Sequence, residues 1–267
     1  MRAALIAVVV LALWPGAAAA ASRVFSTDQC ADQYVLALAP RTAIVGLSKR
    51  ALNADSYLRG EAAGLPERRP DLEAILSTRA DLVVRYWSPD ADLPAALRRR
   101  GVGVVQIDEA SDFAGVRANI RKVAAALGRG PAGEALIARM DRTLAESRDA
   151  WGGARALYLT PGGVTAGAGT LVGAILGAAG LVSAADGPGY APAPLERLAL
   201  DPPAALVLGF FRDLAGGRQH WTIAGDGYLR DLVGRRTIAS LPGSVLGCPA
   251  WFAADGALAL AKARPAA

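Results

Sequence analysis

Hydrophobic and polar positions alternate along this chain in two distinct rhythms. Short, β-branched apolar runs predict strands at Arg23–Ser26, Ile44–Leu47, Leu82–Arg85 and Val102–Ile107. A second series lies at Ala156–Thr160, Ala205–Gly209 and around Val245–Gly247. Between them, apolar residues recur at helical spacing in Asp28–Leu38, Pro94–Arg100, Thr170–Ala179 and Ala253–Ala263. Strand alternating with helix predicts parallel sheets, since a parallel pair needs a long crossover and a helix supplies it.

From Phe113 to Ala150 the strand signal disappears. Ala114–Leu127 reads as one helix ended by Gly128. A second begins at Pro131, where a first helical turn tolerates proline, and runs to Arg148 with Ala135, Leu136, Met140 and Leu144 on one face. Glu134 near its start and Arg148 near its end suit the helix dipole. Such a helix extends roughly 27 Å at 1.5 Å per residue, and no glycine- or serine-rich linker interrupts it. The predicted fold class is α/β: two Rossmann-like lobes with mostly parallel sheets, joined by one long backbone helix. The boundaries read as a leader over 1–21, an N-terminal lobe over 22–128, an interlobe helix over 129–151 and a C-terminal lobe over 152–267.

One short pattern occurs twice. Pro70-Asp71-Leu72-Glu73 and Pro194-Leu195-Glu196 place glutamates 123 positions apart, each before an alanine-rich step and a strand run, Asp81–Val84 or Ala205–Leu208. Two similarly built lobes, each presenting an acid at the same place, follow from this. The local alternative is an ordinary acid in a first helical turn, offsetting the dipole.

Composition narrows the function. Arg2, the apolar run Ala3–Leu13 and the alanines at 17–21 form a secretory signal with an A-x-A cleavage site, too short for the ~20 residues of a membrane span. They predict an exported, periplasmic protein. The net charge of +5 is mild and the only dense basic run is Arg98-Arg99-Arg100, which argues against nucleic-acid binding. A single histidine, His220, cannot build the multi-histidine site that a bare first-row metal ion requires, although it could cap a metal complex. No catalytic residue is assigned and no cofactor is called for: Gly-x-Ser-x-Gly is missing and carboxylates are not paired. A secreted hydrolase or transferase is the second reading, and a sensor for a membrane receptor the third. The glycine-rich stretch 161–170 lacks a P-loop ending and dinucleotide spacing; it reads as close backbone approach to a bulky ligand plus a cap for the next helix. Asp28 reads as a helix start, with Ser26 and Gln29 at capping-box spacing.

Ligands of open parallel sheets gather at the carboxyl ends of strands. In the first lobe those ends are Thr27–Cys30, Lys49 with Arg50, Tyr86 with Trp87, and Asp108. In the second they are Thr160–Gly163, Phe210–Arg212 and Cys248–Trp251, with Tyr190 just before the second Leu-Glu element. Cys30 and Cys248, on opposite lobes, are open to two readings: a disulfide that clamps the lobes, or a pair of cleft thiols in contact with ligand.

With these features in place, the chain resembles the periplasmic binding proteins for cobalamin, haem and iron–siderophores, the helical-backbone class that serves ABC importers. The resemblance rests on Arg23–Asp32, Ile44-Val45-Gly46-Leu47-Ser48, Pro70–Glu73 with Ala80–Val83, and Thr160–Gly163 onward to Leu181. It implies capture of a metal chelate by a monomer and delivery to a membrane permease, whose arginines Glu73 and Glu196 contact. The strand ends give a ligand set of Arg50, Tyr86, Trp87, Tyr190, Phe211, Arg212, Cys30 and Cys248. Tyr86 stands where the cobalamin binders carry tryptophan, Arg50 where they carry tyrosine, and Glu67 where an aromatic is found. Arg50 and Arg212 suit a ligand with carboxylates or a net negative chelate.

Overall fold

The computed structural model describes residues 21–86, 90–210 and 227–264. The leader segment over 1–20 lies outside them. The first lobe comprises β1 (Val24–Ser26), α1 (Gln29–Leu38), β2 (Ile44–Gly46), α2 (Arg59–Ala62), α3 (Leu72–Ser77), β3 (Leu82–Arg85), α4 (Leu93–Arg98), β4 (Gly103–Gln106) and α5 (Phe113–Ala126). The long helix α6 (Gly130–Ser147) leads into the second lobe, which opens with β5 (Ala154–Leu159), β6 (Val164–Ala166), α7 (Leu171–Ala178), β7 (Leu181–Ser183) and β8 (Tyr190–Pro192). It closes with α8 (Leu195–Leu200), β9 (Ala205–Gly209), α9 (Gly227–Arg236), β10 (Thr237–Leu241), α10 (Gly243–Leu246) and α11 (Ala253–Lys262).

Each lobe holds a four-stranded parallel sheet, ordered β2-β1-β3-β4 in the first and β10-β9-β5-β7 in the second. Counted within its own lobe and from the opposite edge, the second order is again second-first-third-fourth. The internal repeat is therefore topological, and in both lobes a short helix carrying the Leu-Glu element precedes the third strand. In each sheet the strand order switches from one side of the first strand to the other between the first and third strands, the switch point beside which α/β folds leave a crevice. The antiparallel pair β6-β8 is an addition to the second lobe.

The helix α6 joins the lobes through packing on both sides. Leu136, Ile137 and Met140 are buried on one face between α5 and α11, each contributing about 1.5–3 kcal/mol of apolar burial. Gly133 permits the crossing with α5, since a Cβ there would sit 2.6 Å from the Ala124 methyl. Glu134 pairs with Arg121 of α5 on the exposed side, at 2.7 Å and 3.1 Å. One hydrophobic cluster runs without a break from Val24 and Val35 through Ile137 and Met140 to Tyr158 and Leu260.

Three sequence expectations change. The strand placed around Val245–Gly247 is the helical turn α10; the fourth strand is β10, and Pro242, which cannot donate to a ladder, ends it and stands at the head of α10. The short strands β6, β7 and β8 and the helix α9 had no counterpart in the pattern. Asp28 caps α1 by itself, accepting from the Cys30 and Ala31 amides at 3.1 Å and 3.0 Å. Gln29 instead donates to the Asp55 carbonyl, so no capping box forms.

Candidate functional site

A cavity of about 570 Å³ opens at the carboxyl ends of the strands, lined from the first lobe by Thr27–Cys30, Ser48–Arg50, Asp55, Pro70 and Tyr86. The second lobe contributes Phe210, Gly247 and Cys248. The first wall grows out of the switch point. Thr27 and Asp28 follow β1, Tyr86 follows β3, and the Asp28 carboxylate ties them by accepting the Tyr86 amide at 2.7 Å and the Thr27 hydroxyl at 3.0 Å. With its other oxygen capping α1, Asp28 is occupied in holding the wall together.

Tyr86 and Phe210 each stand one residue beyond the third strand of their lobe, so the repeat brings an aromatic from each side to the cavity. Phe210 holds φ at 63°, in the left-handed region that a bulky side chain rarely adopts. Its amide extends the ladder to the Leu241 carbonyl at 3.2 Å. Backbone strain of this kind costs about 1–3 kcal/mol and collects at ligand sites.

The Tyr86 hydroxyl donates to the Glu109 carboxylate. Burial first, then the bond and charge of Glu109, push the Tyr86 phenol up from its ordinary value. Tyr190 belongs to the same group: it is 62% exposed on β8, and burial and the Glu109 charge raise its phenol while Thr170 opposes. Arg50 lies on the wall with its side chain 63% exposed and pairs with Asp55 at 3.3 Å, a contact that water screens. Lys49 adds a second cation to the lining.

Cys30 and Cys248 form a disulfide in the cavity wall, with Cα atoms 5.3 Å apart. Of the two readings open from the sequence, the free thiols are set aside. Nearby, the Tyr34 hydroxyl donates to the Pro249 carbonyl at 2.5 Å, Tyr34 meets Trp251 edge to face, and Tyr57 stacks on Phe252 at 4.3 Å. These contacts form a seam in which α1 and the 48–58 loop grip the segment that leads into α11.

Of the sequence-predicted ligand residues, Arg50, Tyr86, Cys30 and Cys248 come together at the cavity and Tyr190 stands beside Tyr86 and Glu109. Trp87, Phe211 and Arg212 lie outside the described residues, as does His220. Asp108 is occupied elsewhere, bonded to Lys122 and to Asn119 of α5. Its neighbour Glu109 is the carboxylate that reaches the tyrosines, a choice between adjacent acids that strand-end reasoning cannot make. Asp55 carried no sequence signal, because it belongs to an irregular loop. Two glycines of 161–170 serve the protein's own packing. Cβ atoms at Gly167 and Gly169 would meet the Gly187 and Pro188 carbonyls at 2.0 Å and 2.9 Å, so they admit the turn before β8. Thr170 caps α7 by accepting the Gly173 amide at 3.0 Å.

Glu73 and Glu196 are exposed in the first turns of α3 and α8, and neither makes an ion pair among the described residues. Among those residues, too, no three histidine, cysteine or carboxylate groups converge as a metal site, and no helix is long and apolar enough to cross a membrane.

The family described as periplasmic binding protein matches residues 24–209. The comparison with curated proteins found no match. The fold is similar to that of the periplasmic heme-binding protein BhuT in complex with two hemes, 29% identical over 90% of this chain and 98% of that one, with a TM-score of 0.68. It is also similar to the periplasmic heme-binding protein RhuT from Roseiflexus sp. RS-1, at 24% identity over 91% and 97% of the two chains and a TM-score of 0.69. The vitamin B12 binding protein BtuF of Vibrio cholerae shares the fold at 16% identity, with 91% and 96% covered and a TM-score of 0.60.

Proposed function

The chain belongs to the periplasmic binding protein family, and we propose that it captures an anionic metal chelate between its lobes and delivers it to an ABC importer. Ferric siderophores, haem and corrinoids are the candidate cargo, and haem is favoured by the 29% identity to a heme-binding protein over nearly the full length of both chains. The observation that carries this reading is the cavity at the switch point, where two cations and aromatic side chains from both lobes share one wall system. Its 570 Å³ falls within the roughly 300–1,000 Å³ of small-molecule sites. Lys49 and Arg50 supply positive charge for propionate-like or chelate oxygens, and Tyr86 and Phe210 supply flat apolar surface.

In the same proposal the protein works outside the cytoplasm, in the periplasm after loss of residues 1–21, and as a monomer. Residues 22–128 and 152–267 act as lobes held by 129–151. Trp87, Phe211 and Arg212 complete the cargo site. Glu73 and Glu196 engage permease arginines: exposed carboxylates on short, anchored helices form charge-assisted pairs and set orientation. Solute capture and release is the activity, with no bond of the cargo broken.

The test is equilibrium titration of the mature chain with haemin, cyanocobalamin and a ferric trihydroxamate, followed by tryptophan fluorescence and by the haemin Soret band. Saturable one-to-one or two-to-one binding of haemin is the expected result. Binding of none of the three, across this panel, overturns the reading.

A further inference from the structure

The loop between β2 and α2 supplies Ser48, Lys49, Arg50 and Asp55 to the cavity wall yet has no regular structure of its own. What shapes it lies behind it, on α1. Gln29, Asp32 and Gln33 occupy positions i, i+3 and i+4 of that helix, one face, and are 9%, 0% and 1% exposed. Buried polar side chains persist only where they find partners, and all three bond this loop. Gln29 donates to the Asp55 carbonyl at 2.9 Å. Gln33 donates to the Ser56 hydroxyl at 2.9 Å and accepts the Leu58 amide at 2.7 Å. Asp32 accepts both the amide and the hydroxyl of Ser48, at 2.9 Å and 2.6 Å, and the Ser48 oxygen in turn accepts the Arg50 amide at 3.1 Å.

We infer that Asp32 is a positioning residue for cargo capture, setting Arg50 at the cavity wall through Ser48. The inference rests on the proposed function for its cargo, but the relay itself is a property of the free protein. Three consequences follow from the geometry. The ionised carboxylate offers two acceptors to one residue, which pins the turn at Ser48 in both its backbone and its side chain. The Ser48 hydroxyl, having donated its proton to Asp32, turns a lone pair to the Arg50 amide. A proton on the Asp32 oxygen that faces the Ser48 hydroxyl turns that acceptor into a donor and reverses the bond, while the other oxygen still accepts the Ser48 amide, so the orientation of the Ser48 hydroxyl toward the Arg50 amide is what changes.

The groups facing the carboxylate are Ser26 at the end of β1, Ser48 beyond β2 and Asp28 at the head of its own helix; the last is the charged one. Burial is the main cause that lifts the Asp32 carboxyl to about 6, with the Asp28 charge adding a smaller push and the Ser26 and Ser48 bonds opposing. The relay therefore switches within the range of a mildly acidic periplasm.

The test uses the full mature chain with its disulfide intact. In the wild type, the amide resonances of Ser48 and Arg50 shift together with a midpoint near pH 6, while the Asp81 amide, at the opposite, amino end of β3, does not follow. In Asp32→Asn that shared titration is absent. At pH 7.5 haemin affinity falls about fivefold to tenfold, with no drop in melting temperature. Ser48→Ala, which keeps the carboxylate but removes the relay oxygen, moves the Arg50 amide and weakens haemin to a similar extent. Unchanged Ser48 and Arg50 amides in Asp32→Asn overturn the relay whatever haemin does. Altered amides with unaltered haemin affinity overturn the role in capture. A wild type that titrates at these amides but binds no haemin refutes the haem reading and leaves the relay standing, so the two failures are distinguishable.

Discussion

A single hydrogen atom decides Gly209. It ends β9, and a Cβ there would sit 2.1 Å from the hydroxyl of Tyr158, whose ring is 1% exposed on the neighbouring strand and has nowhere to go. Gly209→Ala is expected to lower stability by about 1–3 kcal/mol, read from the denaturation midpoint. It should also disturb Phe210, the next residue and the second lobe's aromatic at the cavity. Asp32 gives the other residue-level expectation. Its carboxyl titrates at about 6 when folded against 3.8 ordinarily, so the native state holds the proton more tightly than the unfolded chain. The contribution to stability is then full below pH ~4, declines as pH rises and levels off above pH ~6, a span of about 3 kcal/mol. Asp32→Asn should remove that slope from the dependence of unfolding free energy on pH, and a wild-type slope of opposite sign attributable to this residue contradicts the assignment.

At the scale of elements, the seam between α1, the 48–58 loop and α11 matters as much as the long helix. The disulfide closes a loop of 218 residues of sequence separation, and removing such a bond from an exported protein costs about 2–5 kcal/mol. Cys30→Ser with Cys248→Ser is therefore expected to unfold at distinctly lower denaturant than the oxidised wild type. Because Tyr34, Tyr57 and Asp255 still bridge the same seam, the variant should remain folded at room temperature. Loss of all native circular dichroism would show instead that the bond alone holds the lobes together. The extent of α6 follows from local signals such as Pro131 in its first turn, but its buried face is Leu136, Ile137 and Met140 rather than the expected stripe with Ala135, which is exposed, because α5 and α11 choose the face. The sequence left the disulfide and the free thiols both open, since nothing in the spacing of Cys30 and Cys248 says whether two chain segments meet.

Over the whole molecule, two sheets of identical strand order face each other across the cavity, with a continuous core behind it. A core that continues behind the cavity is expected to limit closure, in which case selectivity falls to the shape of a largely formed cleft. The exposed acids Glu73 and Glu196 play no part in that shape. Glu73→Ala combined with Glu196→Ala is expected to reduce cargo uptake by cells more than tenfold while haemin affinity of the purified protein changes less than twofold. A matching fall in affinity would remove the docking assignment.

The pattern along the chain missed β7 and β10 but was sufficient for the four strands of the first sheet, for β5 and β9 of the second and for the one long helix, because periods of 2 and 3.6 are written by local backbone geometry. It also marked Tyr86 and Arg50, since strand ends can be read without knowing what lies opposite them. It could not choose Glu109 over Asp108, reveal that Gln29, Asp32 and Gln33 turn inward to carry an irregular loop, or show that Gly167 and Gly169 make room for their own protein. Each of these depends on a partner distant in sequence, and which distant segment arrives is settled by how the core closes. Periodicity describes one segment at a time; a cavity is made between segments.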